Sequence, residues 1–87
     1  MATVILPDSL VRLFPGAARR TDVAGETVFE LIVGLEACHP GMRDRILDGR
    51  PAIRRHVVIF VNSDRAALDT PVSPADEVQV IPAMSGG

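Results

Sequence analysis

The sequence contains no lysine, tryptophan or tyrosine, only one cysteine, and no long apolar run. A single cysteine, Cys38, excludes an internal disulfide and suits a reducing compartment. No apolar stretch approaches the roughly 20 residues of a membrane span, and the N-terminus lacks the basic and apolar regions of a signal peptide. The sequence therefore predicts a cytoplasmic protein with no membrane partner.

Every basic side chain apart from histidine is an arginine. The nine arginines are spread along a chain of formal net charge −2, and the aromatic residues are three phenylalanines. Nucleic-acid-binding domains usually carry a basic stripe, often interleaved with aromatic side chains. The composition therefore predicts no nucleic-acid partner.

The length of 87 residues and the hydrophobic fraction of 47% indicate a single folded domain, residues 1–87. A chain this short buries roughly 60–65% of its unfolded surface, which leaves little room for a deep active-site cleft. β-Rich patterns predict strands at residues 3–6, 17–24, 56–62 and 77–81, with a short pairing strand at 66–68. Residues 9–13 fit either a loop or a turn of helix.

The segment that follows Thr27 has the clearest helical pattern. Thr27 and Glu30 fit a capping box, and Pro40-Gly41 ends the helix. Gly34, inside it, should cost about 1 kcal/mol relative to alanine unless close packing against a sheet compensates. Apolar residues recur at helical spacing: Val28, Leu31, Ile32, Leu35 and Cys38. Strands around one main helix predict an α+β fold, with a mixed sheet wrapped over that helix.

The sequence ends in Gly86-Gly87. Glycine has no Cβ, so such a tail could thread a narrow channel and present the Gly87 carboxylate to a partner enzyme. Two terminal glycines occur by chance in roughly 1 chain in 200, so the pair acquires weight from its context.

That context is a combination of segments. Residues 76–87 join an acidic pair, an alternating strand, Pro82 and the terminal glycines, and residues 3–7, 25–28, 35–37 and 58–62 add to the pattern. The chain resembles the MoaD/ThiS family of ubiquitin-like sulfur carriers over nearly its whole length, and it is most similar to CysO-type and MoaD-type members.

The resemblance implies a β-grasp fold with neighbouring N- and C-terminal strands and a flexible tail, residues 82–87. It implies that a MoeB/ThiF-like, E1-like adenylyltransferase, which holds the ATP and Mg²⁺, activates Gly87 for thiocarboxylate formation. Gly86 and Ser85 would give access, and Phe60 and Met84 would belong to an apolar docking surface. The carrier itself would have no catalytic residue, metal or bound cofactor, and would be monomeric when free.

The resemblance leaves the sulfur-accepting enzyme open among cysteine, molybdopterin, thiamine and secondary-metabolite pathways, with the CysO-like branch favoured and molybdopterin next. A ubiquitin-like modifier is an alternative, although a chain without lysine cannot build lysine-linked chains of itself. A non-covalent interaction module is a third, but it would need no terminal Gly-Gly.

Cys38 beside His39 suggests a nucleophile or a metal ligand. Successive helical residues point about 100° apart, and Cys38 falls on the apolar stripe, so the pattern predicts a buried structural thiol. Cys38, His39 and His56 lack a recognised metal-ligand spacing.

Overall fold

The computed structural model describes residues 1–82, which form a five-stranded sheet and three helices. The elements in chain order are β1 (Ala2–Ile5), α1 (Asp8–Leu13), β2 (Arg20–Val23), α2 (Val28–Cys38), α3 (Met42–Ile46), β3 (Val57–Val61), β4 (Asp64–Arg65) and β5 (Glu77–Pro82).

The sheet is mixed, and its strand order is β2-β1-β5-β3-β4. The central pair, β1 and β5, is parallel, whereas the other neighbours are antiparallel. The first and last strands of the described chain therefore lie side by side in the middle of the sheet. This confirms the predicted α+β class and the β-grasp arrangement.

The core lies between α2 and one face of the sheet. Side chains alternate between the two faces of a strand, so every second residue of each central strand points towards the helix. The buried residues include Ala2, Val4, Val28, Leu31, Ile32, Leu35, Ile59, Val61, Val78 and Val80. Four of the five residues predicted for the helical stripe are in this core, and the fifth, Cys38, is not.

The N-terminus of α2 has the predicted capping box. The Thr27 hydroxyl accepts a hydrogen bond from the Glu30 N–H at 3.2 Å, and the Glu30 carboxylate accepts one from the Glu26 N–H at 2.9 Å. The first bond satisfies a backbone donor that a helix start otherwise leaves unpaired, and the second ties Glu30 to the residue before the cap. The cap therefore fixes where the helix begins.

A sharp turn at Gly41 joins α2 to α3. Gly41 has φ of 99°, which favours a residue without Cβ. The Glu36 carboxylate accepts hydrogen bonds from the N–H groups of Gly41 (3.0 Å) and Arg43 (2.9 Å). Those bonds, from Gly41 first, hold the pKa of Glu36 below its ordinary value. The α3 residues Met42 and Ile46 are thereby held in the core.

The predicted strands at residues 3–6, 56–62 and 77–81 agree with β1, β3 and β5 to within one residue at each end. The undecided segment at residues 9–13 is helix α1, and β2 is shorter than predicted, covering Arg20–Val23. β4 lies at Asp64–Arg65, two residues before the predicted pairing segment. Its early start follows from Asn62, which has φ of 57° and lets the chain reverse directly after Val61. Asparagine enters this left-handed region more readily than most residues.

Gly34 lies where α2 approaches β2. A Cβ placed at this position would be 2.6 Å from Cγ1 of Val23, a distance that forces a shift. Val23 is buried and its side chain is short and branched, so it has little freedom to move away. Glycine fits the helix here because the Val23 side chain occupies the space that a Cβ would need.

We expect Gly34→Ala to lower the free energy of unfolding by about 1 kcal/mol, because overpacking of 1–3 kcal/mol outweighs the roughly 1 kcal/mol gain in helix propensity. Urea denaturation measures the difference. In a Val23→Ala background the same change should be less costly, since the clashing methyl is gone. A Gly34→Ala protein more stable than the wild type would contradict the packing argument.

Candidate functional site

The described chain ends at Pro82, the last residue of β5, which we call the exit point. β5 pairs with β1 through Gln79 and with β3 as far as the Val57–Pro82 pair. Proline has no N–H to continue a ladder, so regular pairing ends readily there. The start of β5 is thus paired on both sides, whereas its last residues, Ile81 and Pro82, pair with β3 alone.

The predicted tail residues lie beyond this exit. Met84, Ser85, Gly86 and Gly87 are outside the described residues, so their predicted roles stay predictions. The predicted tail also included Pro82, which the structure places at the end of β5, paired with Val57.

The sheet face opposite α2 carries an apolar patch beside the exit point. In β3, Val58 and Phe60 alternate with buried Ile59 and Val61, and they are half-buried without packing against the core. Val58 pairs with Ile81 of β5, and Phe60 pairs with Gln79, which in turn pairs with Ile5 of β1. We call Ile5, Val58, Phe60 and Ile81 the open-face patch.

Polar groups on the same face surround the open-face patch. Arg20 donates to Glu77 at 3.0 Å, and the Thr3 hydroxyl donates to Asp22 at 3.0 Å. Both pairs are exposed, so each contributes little to stability. An apolar centre with a polar rim is the usual composition of a protein interface. Phe60, one of the two predicted docking residues, lies in this apolar surface, and its docking role stays a prediction.

A shallow groove of about 330 Å³ runs along the same end of the sheet. It is lined by Ile5, Leu6, Pro7, Asp8, Arg19, Gln79, Val80, Ile81 and Pro82. Arg19 pairs with Asp8 across it at 3.3 Å, and both side chains are largely exposed. The groove extends from the open-face patch to Pro82.

The start of β5 is anchored by Asn62. Its side-chain oxygen accepts from the Glu77 N–H, and its amide donates to Asp76, each at 3.1 Å. Asp76 also accepts from the Ser73 N–H at 2.8 Å. The bond from Ser73, and then that from Asn62, keeps the pKa of Asp76 below its ordinary value. This carboxylate therefore organises the entry to the terminal strand, as expected for an acidic residue at a turn.

Cys38 is exposed, and the prediction of a buried structural thiol was wrong. At about 100° per residue, Cys38 is near the edge of the stripe, and α2 ends at this residue, before the chain turns away. Within residues 1–82, no group of three metal-binding side chains lies close enough to hold an ion.

For the thiocarboxylate that the family resemblance implies, we expect Cys38→Ala to leave the yield unchanged, and to alter the free energy of unfolding by less than about 0.5 kcal/mol. The buried control on the same helix is Leu35→Ala, which should cost about 2–5 kcal/mol. Mass spectrometry and urea denaturation measure the two effects. A folded Cys38→Ala protein that no longer carried sulfur would give this thiol a role.

Residues 5–87 match the ThiS family. This range includes the whole open-face patch and the segment after Pro82. The chain belongs to the ThiS family. It is 31% identical to sulfur carrier protein CysO of Mycobacterium tuberculosis, over 98% of this chain and 97% of that protein. It is also 30% identical to small archaeal modifier protein 1 of Haloferax volcanii, over 78% of this chain and 79% of that one.

The comparison of folds agrees with this family membership. The crystal structure of the Amycolatopsis orientalis BexX/CysO complex contains a chain that matches with a TM-score of 0.86 and 26% identity, with complete coverage of both chains. The chain is therefore a member of a family of small ubiquitin-like proteins that includes sulfur carriers and a protein modifier. In residues 1–82, no helix is long and apolar enough to cross a membrane.

Proposed function

We propose that this chain is a cytoplasmic sulfur carrier whose working group is the carboxylate of Gly87. The supporting observation is the position of β5, a central strand that ends at Pro82 beside the open-face patch. Similarity to sulfur carrier protein CysO over nearly the full chain supports the same function.

The proposed chemistry has two steps, both on a partner. An E1-like adenylyltransferase, with its own ATP and Mg²⁺, joins the Gly87 carboxylate to AMP and releases pyrophosphate. Hydrosulfide then attacks the acyl carbon, AMP leaves, and loss of a proton gives the thiocarboxylate. A persulfide donor would need a thiol to cleave the resulting acyl disulfide. The carrier supplies the substrate carboxylate and the docking surface, while the partner supplies catalysis.

The distance between the domain and Gly87 limits how that partner binds. Gly87 is the fifth residue after Pro82, and five residues reach at most about 17 Å. An enzyme that acts on the carboxylate must therefore approach the end of the sheet closely. The open-face patch, which includes Phe60, is an apolar surface that could make that contact.

The experiment is intact-mass measurement before and after incubation with an E1-like enzyme, ATP and a sulfide source. We expect a mass gain equal to exchange of one oxygen for sulfur, localised to Gly87 by fragmentation. Omission of ATP is the control and should give no gain. An unchanged mass, with an enzyme shown to be active, would refute the carrier proposal.

A second candidate is a ubiquitin-like modifier, favoured by the similarity to small archaeal modifier protein 1. It would use the same activated carboxylate but pass it to an amine of a target protein. Because this sequence has no lysine, the acceptor would be another protein. Conjugates recovered from cells under denaturing conditions would support it, whereas free thiocarboxylate alone would support the carrier.

A further inference from the structure

Positive charge is concentrated on one flank of the domain. One groove is lined by Asp44, Arg45, Arg54, His56 and Val57. An adjoining groove shares Arg54 and Val57 and adds Arg55, Val58 and Arg65, among others. We call Arg45, Arg54, Arg55 and Arg65 the basic rim.

The charges of the basic rim are not neutralised by the described part of the chain. Ion pairs among residues 1–82 engage Arg19, Arg20 and Arg50, and none engages a rim arginine. Asp44 is the one acidic residue of that range lining the two grooves, and its contact with Arg54 is through its backbone oxygen, at 2.6 Å. Four arginines that form no ion pair within residues 1–82 therefore lie on one flank of a chain with net charge −2, and they make this local surface positive.

The basic rim borders the exit of the terminal strand. Val57, which lines both grooves, is the pairing partner of Pro82. A third groove joins Arg45, His56, Val57 and Pro82 to Leu13, which is 50% exposed. The five residues after Pro82 reach at most about 17 Å. Any enzyme that binds Gly87 therefore comes close to these arginines.

We propose that the basic rim docks an acidic protein surface beside the entrance of the enzyme that activates the tail. The inference rests on the proposed function, which requires such an enzyme. Complementary charge raises association rates by roughly 10- to 1,000-fold, and the gain falls as salt screens it. The two rim grooves are lined by no phenylalanine, tyrosine or tryptophan, and His56 is their one ring, whereas proteins that bind single-stranded nucleic acid stack successive bases on several aromatic side chains. A protein is therefore the occupant that these side chains favour.

The test compares two double variants that remove the same charge. Arg45→Gln/Arg55→Gln takes two cations from the rim and spares Arg54, whose Nε donates to the Asp44 carbonyl. Arg12→Gln/Arg43→Gln is the matched control. Arg43 lies on the same helix as Arg45 but stacks over the Phe29 ring at 5.1 Å, and none of the grooves described above includes either control arginine.

The association rate with a purified E1-like enzyme encoded in the same genome is measured by stopped flow, at low salt and at about 0.5 M salt. At the higher concentration, salt screens charges beyond a few ångströms. We expect the rim variant to associate about tenfold more slowly at low salt. At high salt the difference should disappear. The control should differ from the wild type by less than about twofold at both salts, and turnover at saturating carrier should be the same for all three proteins.

Equal association rates for the two variants, with wild-type carrier still converted to thiocarboxylate, would overturn the rim proposal and leave the carrier function standing. A rate difference that persisted at high salt would also overturn it. Tighter binding of the rim to a labelled single-stranded oligonucleotide than to the enzyme would identify another occupant. If an enzyme with proven ATP–pyrophosphate exchange did not activate the wild-type chain, the carrier function would fail and the rim proposal with it.

Discussion

Replacing Gly86 by valine should reduce adenylation of Gly87 at least about 100-fold in kcat/KM. A β-branched side chain next to the reacting carboxylate widens the tail and restricts its backbone. Displacement of a reacting group by about 1 Å can by itself cost 100-fold in rate. The measurement is ATP–pyrophosphate exchange with the E1-like enzyme, together with the mass of the product.

The control for this prediction is Ala83→Val, which adds a β-branched side chain farther from the carboxylate and should have a much smaller effect. A variant with one alanine added after Gly87 should also be inactive, because the carboxylate is displaced by a residue. All three proteins should unfold at the wild-type urea concentration, since every change follows Val80, the last core residue that the structure describes. Normal adenylation of Gly86→Val would refute the argument that a narrow channel requires glycine.

Replacing Phe60 by alanine should weaken binding to the activating enzyme by about 30-fold or more, equivalent to about 2 kcal/mol. Buried aromatic residues commonly dominate interfaces, and Phe60 is half-buried on the open face, away from the core. Calorimetric titration of the carrier into the enzyme measures the dissociation constant. Turnover at saturating carrier should be retained because the tail is unaltered.

Val33→Ala is the matched control for Phe60→Ala. Val33 is 42% exposed on α2, the helix that covers the other face of the sheet, so its removal should leave binding unchanged. Both variants should keep the wild-type free energy of unfolding to within about 1 kcal/mol. Equal affinities for wild type and Phe60→Ala would remove the open-face patch from the docking surface.

The parts of the fold that sequence alone predicted are those with strong local signals. The capping box and the apolar spacing defined α2, and β-branched runs defined β1, β3 and β5. The pairing of the two terminal strands came from the family resemblance, because strand order depends on contacts between distant residues. α1 remained undecided because its six residues carry no capping hydrogen bond from a side chain.

The open-face patch was harder to predict from the sequence. β3 is apolar at every position, Val57–Val61, so alternation could not show which side chains face away from the helix. Only the pairing of β3 with β4 and β5 shows that Phe60 faces away from the helix, whereas its neighbours are buried. The basic rim was likewise hidden, since Arg45 and Arg65 are distant in sequence from the pair Arg54-Arg55 and come together through the fold. Cys38 was misjudged because spacing alone does not show where a helix leaves the core.

The parallel pairing of β1 and β5 also determines how the domain responds to a pulling force. In parallel neighbours, the start of β1 and the end of β5 lie at opposite ends of the ladder, whose pairs are Thr3–Glu77, Val4–Val78 and Ile5–Gln79. Tension applied to the tail against the N-terminus would load those hydrogen bonds together in shear, instead of opening them one by one. The domain should therefore resist such a pull with all three residue pairs of the ladder at once.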